Sequence, residues 1–184
     1  MLGLVFATLI TTTTAIPPTT RAHDKIEAQL ASLDAPLNVA ALSANPQGEL
    51  VAIARDPGEH AFVRQRAVAA LAYFVTPEIG VELARLCAST QLAVRTTAAY
   101  VLGRYFSDKM ADQVFAVLRP LLADANLAVR TQAARAMSFV HTQDAVGALT
   151  QRLSFEKDPE LRDFIFTRAR QLQTRLKSLA SLAP

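Results

Sequence analysis

One arrangement recurs four times in this chain and limits its fold more than any other feature. AFVRQRAVAALAYF begins at Ala61, LAVRTTAAYVLGRYF at Leu92, LAVRTQAARAMSFV at Leu127 and PELRDFIFTRARQL at Pro159. Each contains an aliphatic residue followed by arginine, and these arginines, Arg64, Arg95, Arg130 and Arg162, are separated by 31, 35 and 32 residues. A period of about 33 residues marks an array of two-helix units, none of which can bury its apolar face without a neighbour.

The apolar positions inside each segment have helical spacing. In the second, Val94, Ala98, Val101, Leu102 and Tyr105 fall along one stripe. These segments are expected to be the second, or B, helices of their units. Another amphipathic stretch precedes each one: Glu49 to Arg55, Pro77 to Ala88, Asp108 to Ala123 and Gln143 to Phe155 are the expected A helices. Thr76-Pro77 and Asp158-Pro159 each put a capping oxygen before a proline at the first helical position, which fixes two of the starts. The expected fold is all-α: an α-solenoid of about four helix pairs over residues 47–184, with an N-terminal capping helical segment over 23–46.

Neither the ankyrin T-P-L-H-x-A nor the tetratricopeptide W-x-x-L-G-x-x-Y pattern occurs. LAVRTTAAYVLGRY and DANLAVRTQAARAM instead resemble the HEAT repeat, in particular the short HEAT-like repeat of the phycobilisome-lyase type, over about residues 47–182. Pro120 resembles the proline that kinks the A helix of such units. The resemblance also implies a ladder between repeats, in which an acid six residues before the repeat arginine joins it. Asp124 stands six before Arg130, and Glu156 six before Arg162. Ser89 and Gly58 hold the corresponding places before Arg95 and Arg64, where the pattern is broken. The expected structural ladder is therefore Arg64, Arg95, Asp124, Arg130, Glu156 and Arg162.

Little in the sequence points to catalysis. The six glycines are too scattered for a phosphate loop, dinucleotide fingerprint or nucleophile elbow. His23, His60 and His141 lack the spacing of metal ligands, and the single Cys87 reads as a buried thiol on the apolar side of its helix. Some HEAT-like enzymes hold a di-iron centre with His-Glu pairs, but Glu59-His60 has the reverse order. DNA glycosylases of this architecture stack bases on aromatic groups, and this chain has no Trp. Pairs such as Glu78 with Glu82 and Asp108 with Asp112 read as solvated helix faces. No catalytic residue, cofactor or metal is expected. A net charge of +3 is a mild basic lean, far from the dense field of a dedicated nucleic-acid binder.

At the N-terminus, Leu2 to Ile10 is an uncharged apolar run, too short to cross a bilayer, which takes about 20 residues. Small residues at Thr13 and Ala15, or at Thr20 and Ala22, suit a signal peptidase, although no Lys or Arg precedes the run. Residues 1–22 are expected to be a signal peptide or a leader, and the location periplasmic or extracellular, with a cytoplasmic location as the alternative. No transmembrane segment is expected in the mature chain.

With the repeat arginine as zero and 100° per residue, the pole of each B helix opposite its apolar stripe lies at offsets +2, +5 and +9. The twelve residues there are Arg66, Ala69, Tyr73, Thr97, Tyr100, Arg104, Gln132, Arg135, Phe139, Phe164, Thr167 and Gln171, and none is acidic in a chain with 16 acids. Arg66, Tyr73, Tyr100, Arg104, Arg135 and Phe139 are the expected partner-binding residues, being of the types that dominate interaction hot spots. The plain alternative is that these groups only pack adjacent B helices. The last acid is Asp163, and Arg168, Arg170, Arg175 and Lys177 follow it, suiting either a helix C-terminus or an acidic partner.

The expected function is a non-enzymatic scaffold that mediates protein–protein interaction through the concave face of its B helices, with an unknown protein or peptide as partner. The alternatives are a cytoplasmic nucleic-acid-binding helical array and, by analogy with the lyases, an accessory subunit of an enzyme complex.

Overall fold

The computed structural model describes residues 18–31 and 43–182, and among them every regular element is helical, with no strand. The elements are α1 (Pro18–Ala31), α2 (Pro46–Arg55), α3 (Ala61–Ala70), a 3-10 turn (Leu71–Tyr73), α4 (Pro77–Leu86), α5 (Leu92–Phe106), α6 (Ala111–Leu121), α7 (Leu127–Met137), α8 (Gln143–Leu153) and α9 (Pro159–Leu182). Even-numbered α2 to α8 take the places of the A helices, and odd-numbered α3 to α9 those of the B helices. All four B helices start at the residues where the repeated segments begin.

Local chemistry sets these starts. Pro46, Pro77 and Pro159 each occupy the first helical position, where a missing N–H costs nothing. Oxygens of Asn45, Thr76, Asn126, Thr142 and Asp158 accept backbone N–H groups of the first turns of α2, α4, α7, α8 and α9. Helix α6 starts later than Asp108, because residues 107–110 form a turn in which the N–H groups of Lys109 and Met110 both donate to Phe106 O. Pro120 stands one residue before the end of α6, where its missing N–H leaves the Ala116 carbonyl without its usual i+4 donor.

Each B helix packs on the next, α3 on α5, α5 on α7 and α7 on α9, and each also packs on the A helix of its own pair. Small residues permit the closest approach. A Cβ on Gly103 would stand 2.6 Å from Ala136 Cβ and 2.7 Å from its backbone, so α5 and α7 meet there with no room for a side chain. On the other side the helices are separated by clefts, one of about 410 Å³ between α4 and α6 and one of about 530 Å³ between α6 and α8. A continuous core runs from Ile26 and Leu30 of α1, through Leu50, Leu71, Leu83, Leu102, Leu118 and Met137, to Ile165 and Leu172 of α9.

Helix α1 starts at Pro18, ahead of the expected boundary at His23, and His23 Nδ1 lies 2.9 Å from Glu49 Oε2 of α2. Its packing is against α2 and α3. The apolar run Leu2 to Ile10 and the cleavage positions Thr13 and Ala15 lie outside the described residues, as do 32–42 of the expected capping segment. One stripe residue is corrected: Tyr105 is 44% exposed, while the adjacent Phe106 is buried. A phenyl ring needs no polar partner in the core, whereas a phenol does.

Candidate protein-interaction face

The four repeat arginines divide by what lies on either side of them. Arg95 Nη1 donates to Ser89 O at 2.6 Å, and Arg130 Nη1 donates to Asp124 O at 3.0 Å, in both cases the carbonyl six residues earlier. Their remaining donors point to the following unit. Arg130 Nε and Nη2 donate to Glu156 Oε2 and Oε1 at 2.9 and 3.1 Å, a two-pronged pair. Arg95 Nε is 3.4 Å from Asp124 Oδ2, an ion pair without hydrogen-bond geometry. Asp124 therefore gives its carbonyl to Arg130, six residues on, and its carboxylate to the preceding Arg95, while Ser89 gives only a carbonyl, to Arg95, and Glu156 gives its carboxylate to the preceding Arg130 rather than to Arg162. Each of the three also accepts the N–H two residues on: Ser89 Oγ from Gln91, Asp124 Oδ1 from Asn126 and Glu156 Oε1 from Asp158.

The ends of this series differ for a simple reason. Arg64 would need an acid at position 89, where serine stands; it is 7% exposed, and its Nε donates instead to Ala54 O at 3.0 Å. Arg162, counted with the ladder in the sequence, is exposed, and no hydrogen bond or ion pair among the described residues holds its guanidinium. Among the described residues no carboxylate stands against it as Asp124 does against Arg95 and Glu156 against Arg130.

Glu156 is the most perturbed acid. Burial alone would push its carboxyl up; hydrogen bonds from Arg130, the Asp158 N–H and Arg152 outweigh that and hold it at about 2. Glu82, expected on a solvated face, is instead held between Arg55 of α2 and Arg85, with Arg85 Nη1 at 2.7 Å. Cys87 is buried, and burial pushes its thiol up to about 12, which keeps it from acting as a thiolate nucleophile.

The odd-numbered helices carry the expected face. None of its twelve residues is buried. Tyr100 of α5 meets Phe139 edge-to-face, with ring centres 6.2 Å apart and planes at 74°. Arg104 stacks over Phe139 at 5.0 Å and over Tyr105 at 5.7 Å. Phe164 of α9 lies under two guanidinium groups, Arg135 of α7 at 5.7 Å and Arg168 at 4.9 Å. Tyr100, Arg104 and Phe139 are thus brought together where α5 meets the turn after α7, and Arg135 of α7 continues the strip to Phe164 of α9. Arg66 and Tyr73 stand apart, Arg66 over Phe62 at 5.7 Å and Tyr73 on the 3-10 turn, 76% exposed.

Two recesses open along this strip. The smaller, about 170 Å³, is lined by Gln65, Thr96, Thr97, Tyr100, Gln132 and Arg135. The larger, about 360 Å³, lies between the end of α7 and α9 and is lined by Ser138, Phe139, Arg168, Gln171, Leu172 and Arg175. Arg168 and Arg175 were not among the residues expected on the B-helix face, although the basic run they belong to suits an acidic partner. Phe164, Arg168, Gln171 and Arg175 recur at helical spacing, a signal present in the sequence but beyond the length of a repeat.

No protein-family model matches the chain, and no curated protein matches it. Among the described residues no group of His, Cys, Asp or Glu could hold a metal ion, and no helix is long and apolar enough to cross a membrane.

Proposed function

We propose that the chain is a HEAT-like α-solenoid that acts as a non-enzymatic scaffold, binding another protein along the face of its B helices. The observation that carries this reading is the Arg–aromatic strip across α5, α7 and α9, which is partly exposed and contains no acid. Guanidinium groups held over aromatic rings are rigid, keep outward donors, and bind at low entropic cost. The close packing of the B helices beside clefts between A helices supports a curved array with the strip on its inner side.

The test is crosslinking in native cells with identification of captured proteins by mass spectrometry, comparing the natural chain with the triple variant Arg66→Glu, Arg104→Glu and Arg135→Glu. Arg119→Glu, on exposed α6 surface, is the control. Capture is expected to disappear in the triple variant and persist in the control, with helicity unchanged in both. Unchanged capture by a helical triple variant refutes the reading.

Export is a companion proposal, and α1 bears on where cleavage would fall. A cut after Ala15 leaves α1 whole, whereas a cut after Ala22 removes its first turn. Intact-mass analysis of the native protein should find Ile16 as the first residue outside the cytoplasm; a full-length cytoplasmic chain overturns it.

A further inference from the structure

We propose that the recess between α7 and α9, with the strip that leads to it, receives an acidic peptide segment whose carboxylates are bound by Arg168 and Arg175. The inference rests on the scaffold reading and names the chemistry of its partner. Ion pairs within the chain engage Arg55, Arg85, Arg95, Arg130 and Arg152. The guanidiniums of Arg104, Arg135, Arg168 and Arg175, in contrast, meet no carboxylate among the described residues. Arg168 donates to Gln171 Oε1 at 3.2 Å and Arg175 lies 3.0 Å from His141 Nε2, contacts that supply no negative charge. Asp108 lies 3.8 Å from the other ring nitrogen of His141 and is 88% exposed.

Chain geometry fits an extended segment. Neighbouring helices are about 8–10 Å apart, so crossing from α5 to α9 takes roughly 20 Å, or about six extended residues. Such a segment could place one apolar side chain in the recess beside Tyr100 and its carboxylates in the one beside Arg168. Single-stranded nucleic acid fits less well, because it needs open aromatic faces for base stacking. Here guanidiniums cover Phe139 and Phe164, and Tyr100 is turned edge-to-face against Phe139.

The experiment selects peptides from a phage-displayed random dodecapeptide library on the full chain at physiological salt, then measures their affinities by fluorescence anisotropy. Selected peptides are expected to be enriched in Asp and Glu, and Arg168→Glu with Arg175→Glu should weaken them tenfold or more at unchanged helicity. Arg175→Glu alone, at an exposed site, gives the same readout without touching the helix packing. Neutral or basic peptides that are weakened by Tyr100→Ala and Arg104→Glu would overturn the acidic inference while leaving the scaffold reading standing. No enrichment, or peptides insensitive to all these variants, would overturn both. Displacement of the peptides by an oligothymidylate that binds more tightly than they do would overturn the inference in favour of nucleic acid.

Discussion

Glu156 shows how a single buried charge can join three structural segments. Its side chain is 1% exposed, and it faces Arg130 of α7 and Arg152 of α8 while accepting N–H groups from the turn that leads to α9. Desolvation opposes the charge, but two guanidiniums and two backbone donors win, because each charge-assisted hydrogen bond forms where water competes poorly. Glu156→Gln keeps the shape and leaves two guanidiniums short of a partner, so it should destabilise the protein by about 2–4 kcal/mol in chemical denaturation. The pH dependence has a definite sign. The folded carboxyl sits at about 2 against an ordinary 4.5, so its contribution is complete above 4.5 and is lost as pH falls through 2. That shift corresponds to about 3 kcal/mol. The stability gap between the natural chain and Glu156→Gln should therefore shrink across this acid window; a gap independent of pH would show that the charge contributes nothing.

At the scale of helices, the contact between α5 and α7 is governed by the absence of a side chain. Gly103→Ala would drive a Cβ into Ala136, whose backbone cannot yield as a flexible side chain would. The helices must separate, and the expected loss is about 1–3 kcal/mol despite alanine's better helix propensity. Gly147 in α8 is the internal control, with nothing within 4 Å of an added Cβ. Gly147→Ala should stabilise by about 1 kcal/mol through propensity alone. Thermal melts of the two variants moving in the same direction would refute the packing argument. Helices of this kind were legible in the sequence where local chemistry decides them, as at Thr76-Pro77 and Asp158-Pro159. Their far ends were less so. The apolar pattern runs through Ala70 to Phe74, but α3 closes at Ala70 and a 3-10 turn buries Leu71, an outcome of packing rather than of local signals. The strip was legible for the same reason in part: offsets from the repeat arginine identify Tyr100, Arg104, Arg135 and Phe139. Arg168 and Arg175 were legible only as part of a basic run suiting a helix end or an acidic partner; their place on the strip was not, because α9 runs for 24 residues, well past the repeat on which those offsets were defined.

Across the whole molecule, the carboxylates are distributed unevenly. The α5–α7 and α7–α9 junctions each have an acid reaching back to the preceding arginine, Asp124 to Arg95 and Glu156 to Arg130, while the α3–α5 junction has Ser89 in that place. Arg64 is consequently buried with a carbonyl partner and, among the described residues, no countercharge, the arrangement in which an added carboxylate gains most. The required backbone already exists, since Ser89 Oγ accepts the Gln91 N–H as Asp124 Oδ1 accepts that of Asn126, at 3.2 and 2.8 Å. Aspartate at position 89 can keep that turn and extend a carboxylate toward α3. Ser89→Asp should therefore stabilise the protein by about 1 kcal/mol. The gain should also be local. In an array of nearest-neighbour contacts, the weakest junction sets the free energy at which the adjoining helices open. Hydrogen exchange in the natural chain is expected to be faster in α2 and α3 than in α7, and Ser89→Asp should slow it in α2 and α3 while leaving α7 and α8 unchanged. Equal slowing along the entire chain would mean that the junctions open together, and that the missing acid has no bearing on where the molecule gives way.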